Sequence, residues 1–338
     1  MTQDGYFSKS SGRPDSLTSI ATAAGVSVST VSKVLNGRSD VAPETRERLG
    51  RILRARGYQV APRAGAGVVD LLIGGLGNPW AAELINGAVA AAAETETSII
   101  VSHVSSAAEF GRWLKIATAR GTRGVLSVLH LPDPATIGRL AAAGIPLVVI
   151  DPPSEPDGSV RSVGITNWQG GLAAARHLIE LGHSRIAAIG GPDELWSCRA
   201  RLDGYRSALR RAGLPVDETL VRCDNLDGEG GLRRARELLS LADAPTAIVA
   251  ATDAQAFGVL QALAERGRRC PGDVSVTGFN DLPIATWATP PLTTVRQPLA
   301  AMAATAFWML SSPGTDAQPR HLELETTLVV RGSTAPPG

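Results

Sequence analysis

From residue 68 to residue 279 the chain alternates between short apolar runs and amphipathic stretches, and few folds accommodate that rhythm. The runs fall at 68–73, 99–104, 125–131, 147–150, 163–166, 186–189, 220–223, 248–251 and 274–279. Between them lie segments such as 81–93, 172–181, 201–212, 232–241 and 256–266, with apolar residues at helical spacing. Strands apolar on both faces, alternating with helices, read as parallel sheets covered on each side. Nine strands over about 265 residues suit two doubly wound α/β lobes better than one. The tail adds a helix over 299–310, a polar Ser/Pro/Gly loop and a last strand near 324–330.

The first 60 residues have a different period. Residues 1–15 are polar and read as a frayed lead. Helical spacing then runs from Leu17 to Arg56. Ile20, Ala23 and Ala24 share a face, Gly25-Val26-Ser27 breaks it, and Val28, Val31, Val34 and Leu35 resume it. Asn36-Gly37 tolerates the left-handed backbone that ends a helix. A third helix opens at Pro43, favourable at a first helical position, and runs through Leu49, Ile52 and Leu53 to Gly57. Three short helices here make a compact bundle over 16–58. The stretch QVAPRAGAG at 59–67 is a linker by composition. The two-lobed core follows over 68–332. Its first lobe is expected over 68–165 and 293–320, its second over 166–291 and 321–332.

The net charge of +1 conceals an asymmetry. Residues 1–63 hold ten Lys and Arg against five Asp and Glu, and the remainder holds 23 against 27. A basic end on an acidic body points to a polyanion partner. The cysteines, Cys198, Cys223 and Cys270, are odd in number and far apart. That favours a reducing, cytoplasmic setting over a disulfide scaffold. Neither a secretory signal nor an 18-residue apolar span is evident, so no membrane partner is expected.

The segment from Leu17 to Gly37 has the punctuation of a helix-turn-helix. Ala21 is small where two helices approach. Gly25 suits a turn of positive φ, and Ser27 can cap the second helix. The second helix is left with Val28, Ser29, Ser32, Lys33 and Asn36 facing outward, a set suited to base edges and phosphates in a major groove. A generic helical hairpin is the alternative.

SIATAAGVSVSTVSKVLNG, followed by VAPETRERLGRILRARGY, resembles the DNA-binding head of the lactose-repressor/galactose-repressor (LacI/GalR) family of bacterial transcription regulators. NPW at 78–80, RxxGY at 201–205, TD at 252–253, GFND at 278–281 and TTVRQPL at 293–299 extend the resemblance over nearly the whole chain. It implies that Val28, Ser29 and Lys33 read bases, and that Thr30, Ser32 and Asn36 contact phosphate. Lys33 stands where the family often has Arg, and Lys lacks the planar fork that fits guanine. The linker departs from the pattern. Val60 and Ala61 replace the family's Pro and Asn, Ala64 matches, and Gly65 and Gly67 replace its Arg and its wedging Leu. Two glycines weaken a hinge helix, so a weaker wedge into the minor groove is expected.

The resemblance also implies a core like that of periplasmic sugar-binding proteins, with ligand held between the lobes at strand carboxyl ends. Asn78, Trp80, Trp168, Arg201, Thr252, Asn280 and Gln297 are the expected ligand residues, Arg201 as the clamp. Trp80, Trp168 and Trp287 are candidate stacking faces. Asp151 also ends an apolar run. Asp253 is expected to cap the following helix, and Asp281 is left open. The family commonly has Asp where Asn280 stands. Asn donates as well as accepts, so ligand preference is expected to differ.

Enzyme signatures fail. Gly75-x-Gly77-x-x reaches Trp80 rather than glycine, so the dinucleotide fingerprint is broken. The five histidines lack metal spacing, and no nucleophile elbow occurs. His183 is expected to pack or cap. No cofactor, metal or catalytic residue is implied. The expectation is a homodimeric repressor of carbohydrate-utilisation genes, binding double-stranded operator DNA and responding to a mono- or oligosaccharide effector. A soluble sugar-binding protein without DNA function is the alternative.

Overall fold

The computed structural model describes residues 17–35, 41–56, 67–95, 97–311 and 320–338. The lead, Asn36, Gly37 and nearly all of the linker lie outside them.

The head is three helices, α1 (Leu17–Ala24), α2 (Val28–Leu35) and α3 (Pro43–Ala55). Ile20, Ala21, Ala24, Val31, Val34, Val41, Leu49 and Leu53 form its core. Ala23 is exposed and Ala21 buried, so the inner face of α1 is rotated from the one expected. α1 ends in a Schellman motif. Gly25 N–H donates to Thr22 O, Val26 N–H donates to Ala21 O, and Gly25 has φ +64°. Ser27 caps α2, its Oγ accepting from the Thr30 N–H at 3.1 Å. Arg48 of α3 donates to the Ala24 carbonyl at the end of α1.

Among the described residues the core has two six-stranded sheets. The elements of the first lobe begin β1 (Val68–Ile73), α4 (Pro79–Ala93), β2 (Ser98–His103), α5 (Ala107–Arg120), β3 (Gly124–Val128), α6 (Pro134–Ala142), β4 (Leu147–Ile150) and β5 (Arg161–Ile165). The second lobe continues with α7 (Asn167–Glu180), β6 (Ile186–Gly190), α8 (Trp196–Arg211), β7 (Val221–Cys223), α9 (Gly228–Leu239), β8 (Ala247–Ala250), α10 (Asp253–Glu265) and β9 (Ser275–Asn280). The tail supplies β10 (Thr293–Arg296), α11 (Leu299–Ser311), β11 (His321–Leu324) and β12 (Thr327–Val329). The sheet orders are β11-β5-β4-β3-β1-β2 and β12-β10-β9-β8-β6-β7. β12 joins its sheet by antiparallel pairing with β10.

The tail corrects the expected division of the lobes. β10 pairs in parallel with β9, Thr293 opposite Thr277, and so belongs to the second lobe. β11 pairs in parallel with β5, His321 opposite Ser162, and so belongs to the first. The single last strand expected is therefore two strands, one in each sheet. Among the described residues the chain passes between lobes three times, near residues 166, 297 and 325. Each crossing lies where strands end, at the lobe interface.

Close helix contact in the second lobe needs glycine. A Cβ on Gly171 of α7 would strike the Arg201 carbonyl oxygen, and one on Gly204 of α8 would strike that of Trp168. This contact sets α8, and with it Arg201, against the sheet.

Candidate ligand cleft and recognition helix

Apolar strands end where they meet the cleft, and the backbone there is bent. Among the described residues, positive φ outside glycine occurs at Leu129, Asp151, Asn280 and Asp281. They follow β3, follow β4 and close β9, so both lobes contribute. Such backbone costs energy and tends to gather where side chains must be aimed.

A cavity of about 80 Å³ opens there, lined by Asn78, Trp80, Leu129 and Asp151 from the first lobe and Ser197, Arg201, Thr252 and Asn280 from the second, among others. A second cavity of about 310 Å³ in the first lobe shares Asn78, Trp80 and Leu129 and extends to Gly74, Ser105 and His130. Five of the seven expected ligand residues therefore meet at one place.

Arg201 is 7% exposed and held on three sides. Its Nε donates to Asn167 Oδ1 and its Nη1 to the Ala251 carbonyl, each at 2.8 Å. Its guanidinium lies 3.8 Å from the Phe279 ring centroid. Asp151 lies in the same cavity, and its Oδ1 is buried without a hydrogen-bond partner. Burial raises the Asp151 pKa, and the Arg201 charge opposes that rise. An unpartnered buried acceptor that lines a cavity is open to a hydrogen-bond donor from a ligand or a water. Asn78 caps α4, its Oδ1 accepting from the Trp80 N–H at 3.0 Å, which leaves its amide nitrogen for the cavity.

The other candidates are placed differently. The Thr252 hydroxyl accepts from Gln255 N–H and donates to Leu226 O, so it caps α10 although it borders the cavity. Asp253 is not the cap. Its carboxylate accepts from Leu282 N–H and from the Thr294 hydroxyl, tying α10 to the loop after β9 and to β10. Burial pushes its pKa up to about 7. Asp281 accepts from Arg296 and Arg331 and holds the end of β10. Gln297 is 3% exposed and lies behind the cavity wall, accepting from Trp80 and Asn280. Trp168 is outside the cavity lining, with Arg211 5.3 Å from its ring centroid. Trp287 is 79% exposed and also outside it. Stacking on either ring is not supported, because helix packing claims one and solvent the other. His183 is buried and hydrogen-bonds Thr246, Ser275 and the Ala335 carbonyl. Asp151 is a cavity residue that the expected ligand set omits. Its signal in the sequence is an acid directly after the apolar run Val148-Val149-Ile150.

On the head, Val28 is 42% exposed although apolar. Ser29 is exposed, while Thr30, Ser32 and Lys33 are half-buried along α2. Ser29 and Thr30 hydroxyls each lie 2.8 Å from Ser27 Oγ. Val28 and Ser29 thus sit at the amino end of the second helix of the motif, the position from which helix-turn-helix proteins generally reach base edges. Asn36 lies outside the described residues.

A three-helix head, followed in the chain by a bilobal α/β core with a polar cleft between its lobes, defines a class of ligand-responsive, DNA-reading proteins. Residues 16–60 match the model for bacterial regulatory proteins of the lacI family, and 175–334 match the periplasmic binding protein-like domain. The chain is 36% identical over 337 residues to the HTH-type transcriptional regulator CelR of Thermobifida fusca, covering 95% of this chain and 98% of that one. It superposes on a CelR–cellobiose complex with a TM-score of 0.72 at 34% identity, covering 94% and 99% of the two chains. The lac repressor dimer bound to operator and an anti-inducer gives 0.73 at 25% identity, covering 96% and 100%. This chain belongs to the lacI family of bacterial regulatory proteins. No described helix is long and apolar enough to cross a membrane.

Proposed function

We propose that the protein is a cytoplasmic, homodimeric transcriptional repressor whose affinity for a near-palindromic operator is set by a neutral sugar held between the lobes. The observation that carries the ligand class is Asp151. Its unpartnered buried oxygen requires a hydrogen-bond donor, while Arg201 supplies donors on the same cavity. A carboxylate and a guanidinium together suit a neutral ligand that both donates and accepts, as a polyhydroxylated ring does. The relative solved with cellobiose accords with that class. Genes of carbohydrate utilisation are the fitting targets.

Coupling follows from topology. The three crossings lie at the lobe interface, so a ligand favouring one lobe arrangement shifts that equilibrium and, through it, DNA affinity. The expected coupling is about 5- to 150-fold. The test is gel retardation on DNA upstream of the protein's own gene, with and without cellobiose, glucose and ribose. Retardation should weaken with salt on a log–log slope of about −0.9 per phosphate contact. Equal affinity for random DNA would overturn the regulator reading.

A further inference from the structure

Trp80, Gln297 and Asn280 form a hydrogen-bonded relay between the lobes. The Trp80 indole Nε1–H donates to Gln297 Oε1 at 3.1 Å. Asn280 Nδ2 donates to the same oxygen at 2.7 Å. Trp80 stands in the first turn of α4 in the first lobe, Asn280 closes β9 in the second, and Gln297 occupies the crossing after β10.

Donor and acceptor rules fix the direction of this relay. An indole N–H only donates. Gln297 must therefore turn its carbonyl oxygen toward Trp80, which sends its amide nitrogen the other way, to Met302 Sδ at 3.4 Å. Asn280 meets the same oxygen and must offer its nitrogen. Its own oxygen is then the end available to the cavity that it lines. A free Asn could present either end, but a tryptophan on the opposite lobe removes the choice.

We infer that Trp80 and Gln297 are positioning residues that hold Asn280 as a hydrogen-bond acceptor toward the ligand, so that the cleft selects a ligand hydroxyl that donates there. This inference deepens the proposed function and rests on its reading of the cleft. With Asp151, the cavity then presents two acceptors, from opposite lobes, beside the Arg201 donors. A ligand lacking either donating hydroxyl leaves a buried acceptor unpaired and is rejected. The acceptor at Asn280 also exists only while Trp80 reaches Gln297, so ligand recognition requires this lobe arrangement.

The relay is tested in the ligand-free full chain by the indole N–H signals of ¹⁵N-labelled protein, with Trp80 assigned through Trp80→Phe. Asn280→Asp offers only acceptors, so Gln297 must turn its nitrogen to it and release the indole. The Trp80 signal should shift and its hydrogen exchange should quicken about tenfold or more. An unmoved signal overturns the relay. Calorimetry with cellobiose and glucose gives the second readout. Trp80→Phe should lose about tenfold in affinity, because Asn280 is then free to turn its nitrogen to the ligand. In the Asn280→Asp background the same change should cost less than about threefold, because the introduced carboxylate accepts whatever Gln297 does. Equal losses in the two backgrounds overturn the inference. If neither sugar binds the unmodified protein, the sugar reading fails while the indole signal still decides the relay.

Discussion

Arg201 Nε donates to Asn167 Oδ1 at 2.8 Å, joining α8 to the first residue of α7 where both are buried. The guanidinium proposed as the clamp is thus held in place by the protein alone. Its remaining donors can meet ligand without first being ordered, which lowers the cost of binding.

Arg201→Lys should abolish the effector response and leave operator affinity unchanged. Lysine cannot fill the Nε, Nη1 and ring-stacking roles together. The acceptors on Asn167 and Ala251 lose donors, so the core should also lose about 1–3 kcal/mol. Retardation with and without sugar, beside urea unfolding, checks both. An unchanged response would remove Arg201 from the site.

Asp253 predicts a pH dependence. Its carboxyl titrates near 3.8 when unperturbed and is pushed to about 7 by burial in the fold. The folded state therefore binds that proton more tightly. The contribution is fully present below about 4 and is lost as pH rises through about 7. Urea midpoints should be lower at pH 8 than at pH 5, and Asp253→Asn should flatten the difference. A variant with the same slope as the unmodified protein would assign it to other groups.

Thr252→Ala should cost about 1 kcal/mol as a lost helix cap. Effector affinity should change little, because the hydroxyl is already paired with Gln255 and Leu226. A loss of sugar binding as large as that of Arg201→Lys would show that the hydroxyl touches ligand.

Lys33→Ala should weaken operator binding by about 1–3 kcal/mol more than binding to random DNA. Fluorescence anisotropy on both DNAs separates base reading from phosphate contact. Equal losses would mean that Lys33 reads no base.

Gly25→Ala meets no neighbouring atom, yet forces an alanine into φ +64°. The head should lose about 1–2 kcal/mol, read as a lower melting temperature of its helical signal and weaker DNA binding near that temperature. A change below a few tenths of a kcal/mol would show that the turn relaxes elsewhere.

The sequence alone determined the two architectures and their order. Periodicity changes from helical in the head to short apolar runs in the core, and local hydrogen bonding makes Gly25 and Ser27 readable as turn and cap. Clustering of Asn78, Trp80, Thr252 and Asn280 was legible because each follows or closes an apolar run, and strand carboxyl ends of an α/β lobe converge on one edge, whereas Arg201, the sixth residue of α8, was implied only by the family resemblance. Three things were decided only by tertiary structure. β10 and β11 exchange lobes because pairing with β9 and β5 is a property of register in space, invisible to a local apolar pattern. Thr252 rather than Asp253 caps α10 because Asp253 finds partners on residues about 30 and 40 positions away. The direction of the Asn280 amide depends on Trp80, 200 positions earlier, because a donor-only indole on one lobe fixes an oxygen that the other lobe must meet. Residue types set what each group can offer, and only the folded chain decides which offers are already taken.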